Sequence, residues 1–408
     1  MNTFAQFAAT AAFALGLATS AAAQDIAIRG GQVHTMAGDP IENGVVIIRD
    51  GKISAVGPAA STPIPDGLQV LDAAIVTPGL IDARTVVGLA GYLNQDQDQD
   101  QLEESAPLQP QLRAIDGYNP QGRLVEYLRS LGITTIHTGH GPGALVSGQT
   151  MVAKTTGNTA DDAALVSQAM VAANLGPWAL AQGAKSPGTR SKQIAMLRTA
   201  LQQARDAQNS GKKEDKDEKD KPVSLDKQAM EDVLSGKMPL LITANRAQDI
   251  MSALRLKEEF GIDLVLDGAA EAYLLLDEIK SAGVSVILHP PMARQYGELE
   301  NASFTTGAVL SEAGIPFAFQ SGYEGYVPKT RVVLWEAAIA AANGLNWHNA
   351  MRAITVDAAR IIGVADQVGS LEIGKDGDVA LFTGDPLEYT THVSGVVIDG
   401  VLVSKSKM

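Results

Sequence analysis

The sequence predicts an α/β chain: a TIM-like (β/α)8 barrel with a small composite β-sandwich built from the N- and C-terminal segments. Three observations predict it. Between residues 239 and 345, short apolar runs alternate with amphipathic ones at the spacing of a parallel sheet covered by helices. Both ends of the chain carry β-patterned runs joined by Asp-Gly, at Asp50-Gly51 and Asp399-Gly400. That dipeptide suits a type I′ hairpin, whose two central residues need φ > 0. Finally, Val76 to Val86 is an apolar run ending in polar residues, as a barrel strand does where it opens into a mouth.

The elements follow in order. Ile26–Ile28, Gly44–Ile48 and Lys52–Val56 read as strands, and at the other end Asp378–Phe382, Val393–Ile398 and Val401–Ser404 echo them. Two β segments at opposite ends of a chain can bury their apolar faces together, so residues 24–76 and 366–408 are assigned to the sandwich and 77–365 to the barrel. Ile75–Ile81 and Ile133–Ile136 are the first barrel strands. Pro239–Ile242 is a later one, followed by a helix over Arg246–Phe260 with Ile250, Leu254 and Phe260 on one face and Gly261 placed to end it. Leu264–Leu266, a helix Ala270–Ala282, Val284–Leu288, Ile315–Phe319 and a helix from Thr330 to Asn343 complete the alternation. The third and fourth strands belong in 138–238, where the pattern does not place them; helices are expected over Ser191–Ala207 and Ser224–Leu234. Gln95–Gln101 alternates Gln and Asp without an apolar face and reads as a solvated loop. Lys212–Lys221 is ten consecutive charged residues, five Lys and five acidic. Its charges cancel, so the insert near 209–223 reads as an exposed connection and not a polybasic anchor.

Composition narrows the function classes. The 408 residues are 45% hydrophobic with a formal net charge of -14, which argues against a nucleic-acid or anionic-lipid partner, since either needs a basic face. There is no cysteine, hence no disulfide or thiolate chemistry. Phe7–Ala18 is an apolar run followed by Ala21-Ala22-Ala23, a small-x-small cleavage site. Residues 1–23 therefore read as a signal peptide cleaved near Ala23, and the mature chain as periplasmic, although no Lys or Arg precedes the apolar run.

Val76-Thr77-Pro78-Gly79-Leu80-Ile81-Asp82 resembles the strand-1 signature of the amidohydrolase superfamily. The likeness continues along the chain. Asn43-Gly44 through Asp50-Gly51-Lys52-Ile53 to Val56-Gly57 is similar to the sandwich opening of imidazolonepropionase-like bacterial amidohydrolases. Pro110–Pro120, with Leu112-Arg113-Ala114-Ile115-Asp116, resembles a segment of their bacterial members, and Gly132-Ile133-Thr134-Thr135 resembles the second-strand signature. Ala353-Ile354-Thr355 through Ala358-Ala359 to Gly363, and then Gly369–Asp378, resemble the closing signature. The resemblance implies a metal-activated water attacking a carbonyl. Its ligands would be a strand-1 His-x-His pair, one histidine each after strands 5 and 6, and an aspartate after strand 8, with a strand-4 lysine in some members. At those positions this chain holds Arg84, Val86, Thr243, Asp267 and Gly322. Only Asp267 is a metal donor of the expected kind, and one carboxylate does not hold zinc, which takes three or four donors. No cofactor is expected; zinc would enter only through a noncanonical site.

The pocket candidates are therefore Arg84 and Asp267, a guanidinium in place of the cation paired with a carboxylate, together with Lys154 and His289. His137 and His140, three apart before Gly141-Pro142-Gly143, and Thr243 and Asn245 are candidate ligand-binding groups. His137, His140 and Asp267 are the donors for any improvised metal. The bland reading of each is a satisfied structural or solvated side chain, and His34, His348 and His392 are read so outright. Three functions follow. One is a catalytically degenerate amidohydrolase serving in binding or as the partner of an active paralogue, in a homo- or hetero-oligomer. Another is a hydrolase of C–N bonds in linear amides or dipeptides with a noncanonical or metal-free site. The third is a periplasmic small-molecule binding protein.

Overall fold

Strands β1 (Ile26–Val33), β2 (Ile41–Arg49), β3 (Lys52–Pro58) and β4 (Gln69–Pro78) come from the N-terminal segment. This computed structural model describes residues 25–93, 95–180, 186–210, 224–323 and 332–405. The expected signal peptide and the Lys212–Lys221 run lie outside the described residues. Asp50 and Gly51 sit at φ 50° and 76°, and Asp399 and Gly400 at 49° and 72°, the pair of positive angles that a type I′ turn requires.

The ten strands that follow are β5 (Leu80–Thr85), β6 (Ile133–Thr138), β7 (Val146–Gln149), β8 (Met151–Lys154), β9 (Ala164–Val166), β10 (Val171–Asn174), β11 (Leu240–Ala244), β12 (Leu264–Gly268), β13 (Ser285–Leu288) and β14 (Phe317–Phe319). The chain closes with β15 (Val379–Phe382), β16 (Val393–Ile398) and β17 (Val401–Lys405). The terminal segments share one seven-stranded sheet, ordered β17-β16-β15-β4-β1-β2-β3, so β4 joins the two ends of the chain. The sheet folds round on itself: Ile53 N donates to Lys375 O and Gly377 N to Gly51 O, bringing β3 against the approach to β15. Ile26, Ile28, Val46, Ile48, Val76, Val379, Leu381 and Val397 form its core.

The expected strand Ile75–Ile81 is in fact two. It breaks at Gly79, so that β4 belongs to the terminal sheet and β5 starts the barrel. Thr134 packs so closely on Gly79 that an added Cβ would lie 2.1 Å from its hydroxyl, and no other residue fits at this crossing.

The barrel is formed by β5 and β6, which pair in parallel, and by β10 to β14, parallel in that order. A bridge between Thr85 and Gly322 returns the end of the last strand to β5 and closes the ring. The gap between β6 and β10 is filled by a reversed strand: β8 runs antiparallel to β6 and β7 antiparallel to β10. Thr150 joins β7 to β8, and its N–H donates to Met170 O at 2.9 Å; no helix lies between β6 and β8, which is why the alternation rule could not find them. All residues of β5 to β8 and of β10 to β12 are buried, as expected where helices cover one side and the barrel interior the other.

Helix Ala247–Phe260 ends at Gly261 in the left-handed conformation, with φ 68°. The expected helix Ala270–Ala282 is a 3-10 turn at Ala272–Leu274 followed by a short helix at Leu276–Ser281. The Gln95–Gln101 loop is not wholly solvated. Gln101 is buried, and the Asp98 side chain folds back onto Gly91. No helix among the described residues is long and apolar enough to cross a membrane.

Strand periodicity then positions the site. Ile81, Ala172, Leu241, Val265, Ile287 and Ala318 point into the barrel and form one apolar layer, sealed beneath by Ala358, Ala359 and Ile362. Two residues further along each strand, the same inward face carries Ala83, Asn174, Thr243, Asp267, His289 and Gln320. This second layer is polar and lies at the C-terminal ends of the strands.

Candidate active site

The polar layer is centred on Asp267, which is fully buried. Its Oδ1 accepts a hydrogen bond from Gln320 Nε2 at 2.6 Å. Its Oδ2 accepts from Thr243 Oγ1 at 2.6 Å and from the Tyr323 hydroxyl at 3.2 Å. Both oxygens of the carboxylate are thus engaged by neutral donors. Tyr323 stands edge-on to Trp178, with ring centroids 5.9 Å apart, and its face lies 5.7 Å from the Arg84 guanidinium carbon.

Arg84 is also fully buried, but its guanidinium is bonded to carbonyls and not to Asp267. Nη1 donates to Thr85 O at 2.9 Å and to Gly139 O at 3.1 Å, and Nη2 donates to His140 O. The expected Arg84–Asp267 pair is therefore not a direct one: the carbonyl that ends β5 and two from the loop after β6 outcompete it for the donor fork. The two groups still act on each other through the low-dielectric interior. Burial lowers the Arg84 pKa, and Asp267 is the first of the groups that oppose the shift.

Asp82, on the same strand, accepts from Ser321 N at 3.0 Å and Arg84 N at 3.3 Å through Oδ1. Burial pushes its carboxyl up to about 6. A carboxyl whose folded pKa lies above its unfolded value of 3.8 contributes stability that is complete below pH 3.8 and lost as pH rises through about 6. Asp82→Asn keeps the acceptor and removes the titration. The stability difference between the parent and this variant should shift in the parent's favour between pH 7.5 and pH 5, by about 1.4 kcal/mol. Urea unfolding at the two pH values measures it; a pH-independent difference would refute the assignment.

The histidines divide. His137 Nδ1 lies 2.7 Å from Ala83 O, which only accepts, so the proton is on Nδ1, and Nε2 takes the Thr150 hydroxyl at 2.6 Å. Burial and then Arg84 push its pKa down to about 3. Both nitrogens of His137 are engaged inside the barrel wall, and it does not line a ligand site. Burial and then Arg84 also lower the His140 pKa, and its Nδ1 makes no hydrogen bond among the described residues. His289 ends β13 in the polar layer with Nδ1 on Pro290 O at 2.9 Å. Asn245 is buried at the mouth with Oδ1 unbonded.

Lys154 is not a mouth residue. It faces Thr135, at the start of β6, and its ammonium binds Asp376 at 2.7 Å, Asp378 at 3.2 Å, and Asp399. It sits at the far end of the barrel, where the terminal sheet docks. His34 packs on the Trp347 ring at 4.4 Å, a structural contact.

Four mouth residues escaped the sequence reading: Asp82, Gln320, Ser321 and Tyr323. Gln320 was legible, since it follows Ala318 by two as Asp267 follows Val265.

Comparison with known proteins bears on what this mouth is. The model of the amidohydrolase family matches residues 269–403. A 68-residue stretch is 43% identical to the imidazolonepropionase of Rhizorhabdus wittichii, covering 15% of this chain and 17% of that protein's length. The crystal structure of an amidohydrolase from Thermotoga maritima MSB8 superposes with a TM-score of 0.88 at 26% identity, over 93% of this chain and all of that one. The chain belongs to the amidohydrolase superfamily. An adenosine deaminase from Xanthomonas campestris, solved with bound zinc, shares the fold alone, at a TM-score of 0.54 and 18% identity over 93% of this chain and 92% of its own.

The superfamily implies a metal, and the residues present do not fit one. Arg84 and Val86 have no lone pair to offer, and Gly322 has no side chain. Thr243 directs its hydroxyl at Asp267, and both Asp267 oxygens are taken. Among the described residues, no three His, Asp or Glu side chains assemble into a metal-binding group.

Proposed function

We propose that this amidohydrolase-superfamily chain is catalytically degenerate and that its mouth serves binding, alone or beside an active paralogue, without metal-assisted hydrolysis. One observation carries the reading: Arg84 stands at the first strand-1 ligand position and its guanidinium is fixed to the carbonyls of Thr85, Gly139 and His140. A cation that is part of the protein replaces one that would have been bound. A binding role is favoured by polar atoms left over at the mouth. Arg84 Nε, Asp82 Oδ2, His140 Nδ1 and Asn245 Oδ1 are buried and make no hydrogen bond among the described residues. Buried polar groups of this kind ordinarily find partners, and a ligand with both donors and acceptors supplies them.

Export through a leader cleaved near Ala23 belongs to the same proposal. The test is amine release from a panel of linear amides and dipeptides, with and without added zinc or manganese. The expected result is no release above the protein-free background. Turnover that disappears in Asp267→Asn would overturn the reading.

A further inference from the structure

A second charged site lies on the rim, outside the mouth. A cleft of about 500 Å3 is lined by Arg190, Arg246, Ala247, Gln248, Glu271 and Glu298, none of which belongs to the mouth. The volume is in the range of small-molecule sites. Its walls come from the segments after β10, β11, β12 and β13, so one ligand there would touch four successive loops of the barrel face.

We propose that this cleft binds a zwitterionic ligand bearing a carboxylate and an ammonium group, such as an amino acid or a short peptide. The two arginines are held in fixed orientations. Arg190 places Nε on both oxygens of Asp249 at 3.0 Å and Nη2 on Glu298 at 3.0 and 3.1 Å. Arg246 donates Nη1 to Glu271 at 3.0 Å, and Nη2 to Gly297 O at 2.8 Å and Glu300 at 2.7 Å. Each arginine keeps one donor out of every hydrogen bond among the described residues: Nη1 of Arg190, and Nε of Arg246, which is 3.9 Å from Glu298. A ligand carboxylate is what two preset guanidinium edges recognise.

The same network forbids a purely anionic ligand. Asp249, Glu271, Glu298 and Glu300 set four carboxylates against two guanidinium groups, so an added anion needs a cation of its own. Among the described residues Glu298 takes hydrogen bonds only from Arg190 and keeps lone pairs for an ammonium group. Glu271 is unsuited to that role, because Arg246, Asn301 and Ala247 N already occupy its oxygens. Space for the arrangement is kept by Gly176 at φ 86°, where an added Cβ would meet Glu298 Oε2 at 3.0 Å.

Isothermal titration of the full mature chain with glycylglycine tests the site, with N-acetylglycine and glycinamide as the carboxylate-only and ammonium-only probes. Glycylglycine should bind, both single-charge probes should bind at least about tenfold more weakly, and Arg190→Gln and Glu298→Gln should each weaken glycylglycine by a similar factor. No binding of glycylglycine at millimolar concentration overturns the proposal, as does equal binding of either single-charge probe. So does undiminished binding in folded variants. The probe comparison uses the parent protein alone, so it stands even if a variant fails to fold. Because the mouth residues are untouched, failure here leaves the proposed function unaffected.

Discussion

Replacing Arg84 by Ala should lower the stability of the protein by roughly 3–5 kcal/mol, the cost of removing one partner from a buried charged network. The carbonyls of Gly139 and His140 would lose the donor they have from Arg84, Thr85 O would keep only Gly139 N, and Asp82 and Asp267 would lose a nearby fixed positive charge. Arg84→Met separates charge from volume and should lose nearly as much, because the side chain makes its contribution through the guanidinium. Arg84→Lys should fall between, since one ammonium cannot reach carbonyls on two loops with the geometry of a planar fork. Urea midpoints give the comparison, and an unchanged midpoint in Arg84→Ala would remove the basis for treating the guanidinium as a built-in cation.

Lys154→Met should be comparably severe, again roughly 3–5 kcal/mol, for a different reason. The ammonium joins the barrel to the terminal sheet through Asp376, Asp378 and Asp399. Burial opposes its charge, yet Asp378, Asp399 and Asp376 more than offset this and raise its pKa. Without it, among the described residues only Lys52 remains on Asp376, and Asp378 is left buried with no cation. Burial already holds the Asp378 carboxyl above its ordinary range, so protonation relieves this defect readily. The deficit of Lys154→Met should therefore be largest near pH 8 and shrink toward pH 5. A deficit that stays constant over that range would mean that the carboxylates are not what the lysine compensates.

These two residues also show what could be read from the sequence and what could not. Strand spacing was legible because apolar runs and helices alternate between residues 239 and 345, and the family resemblance of those strand ends placed Thr243 and Asp267 at the mouth. The closed ends were legible from Asp50-Gly51 and Asp399-Gly400, whose conformational demands are local. Lys154 could not be placed, because its strand runs backwards and so presents the opposite end to the mouth; no local signal distinguishes β8 from a forward strand. The partners of Arg84 were hidden for another reason. They are backbone carbonyls, which every residue carries, and only the path of the loop through Gly139 and His140 selects them. The rim cleft was invisible because it needs four loops at once.

The central claim is that Arg84 has replaced the metal of this superfamily. Elemental mass spectrometry of the mature protein, purified without chelator and then dialysed against zinc, tests it most directly. The account predicts essentially no transition metal per chain before dialysis and no stoichiometric uptake after it. One or two equivalents, retained through dialysis and lost in Asp267→Asn, would contradict it.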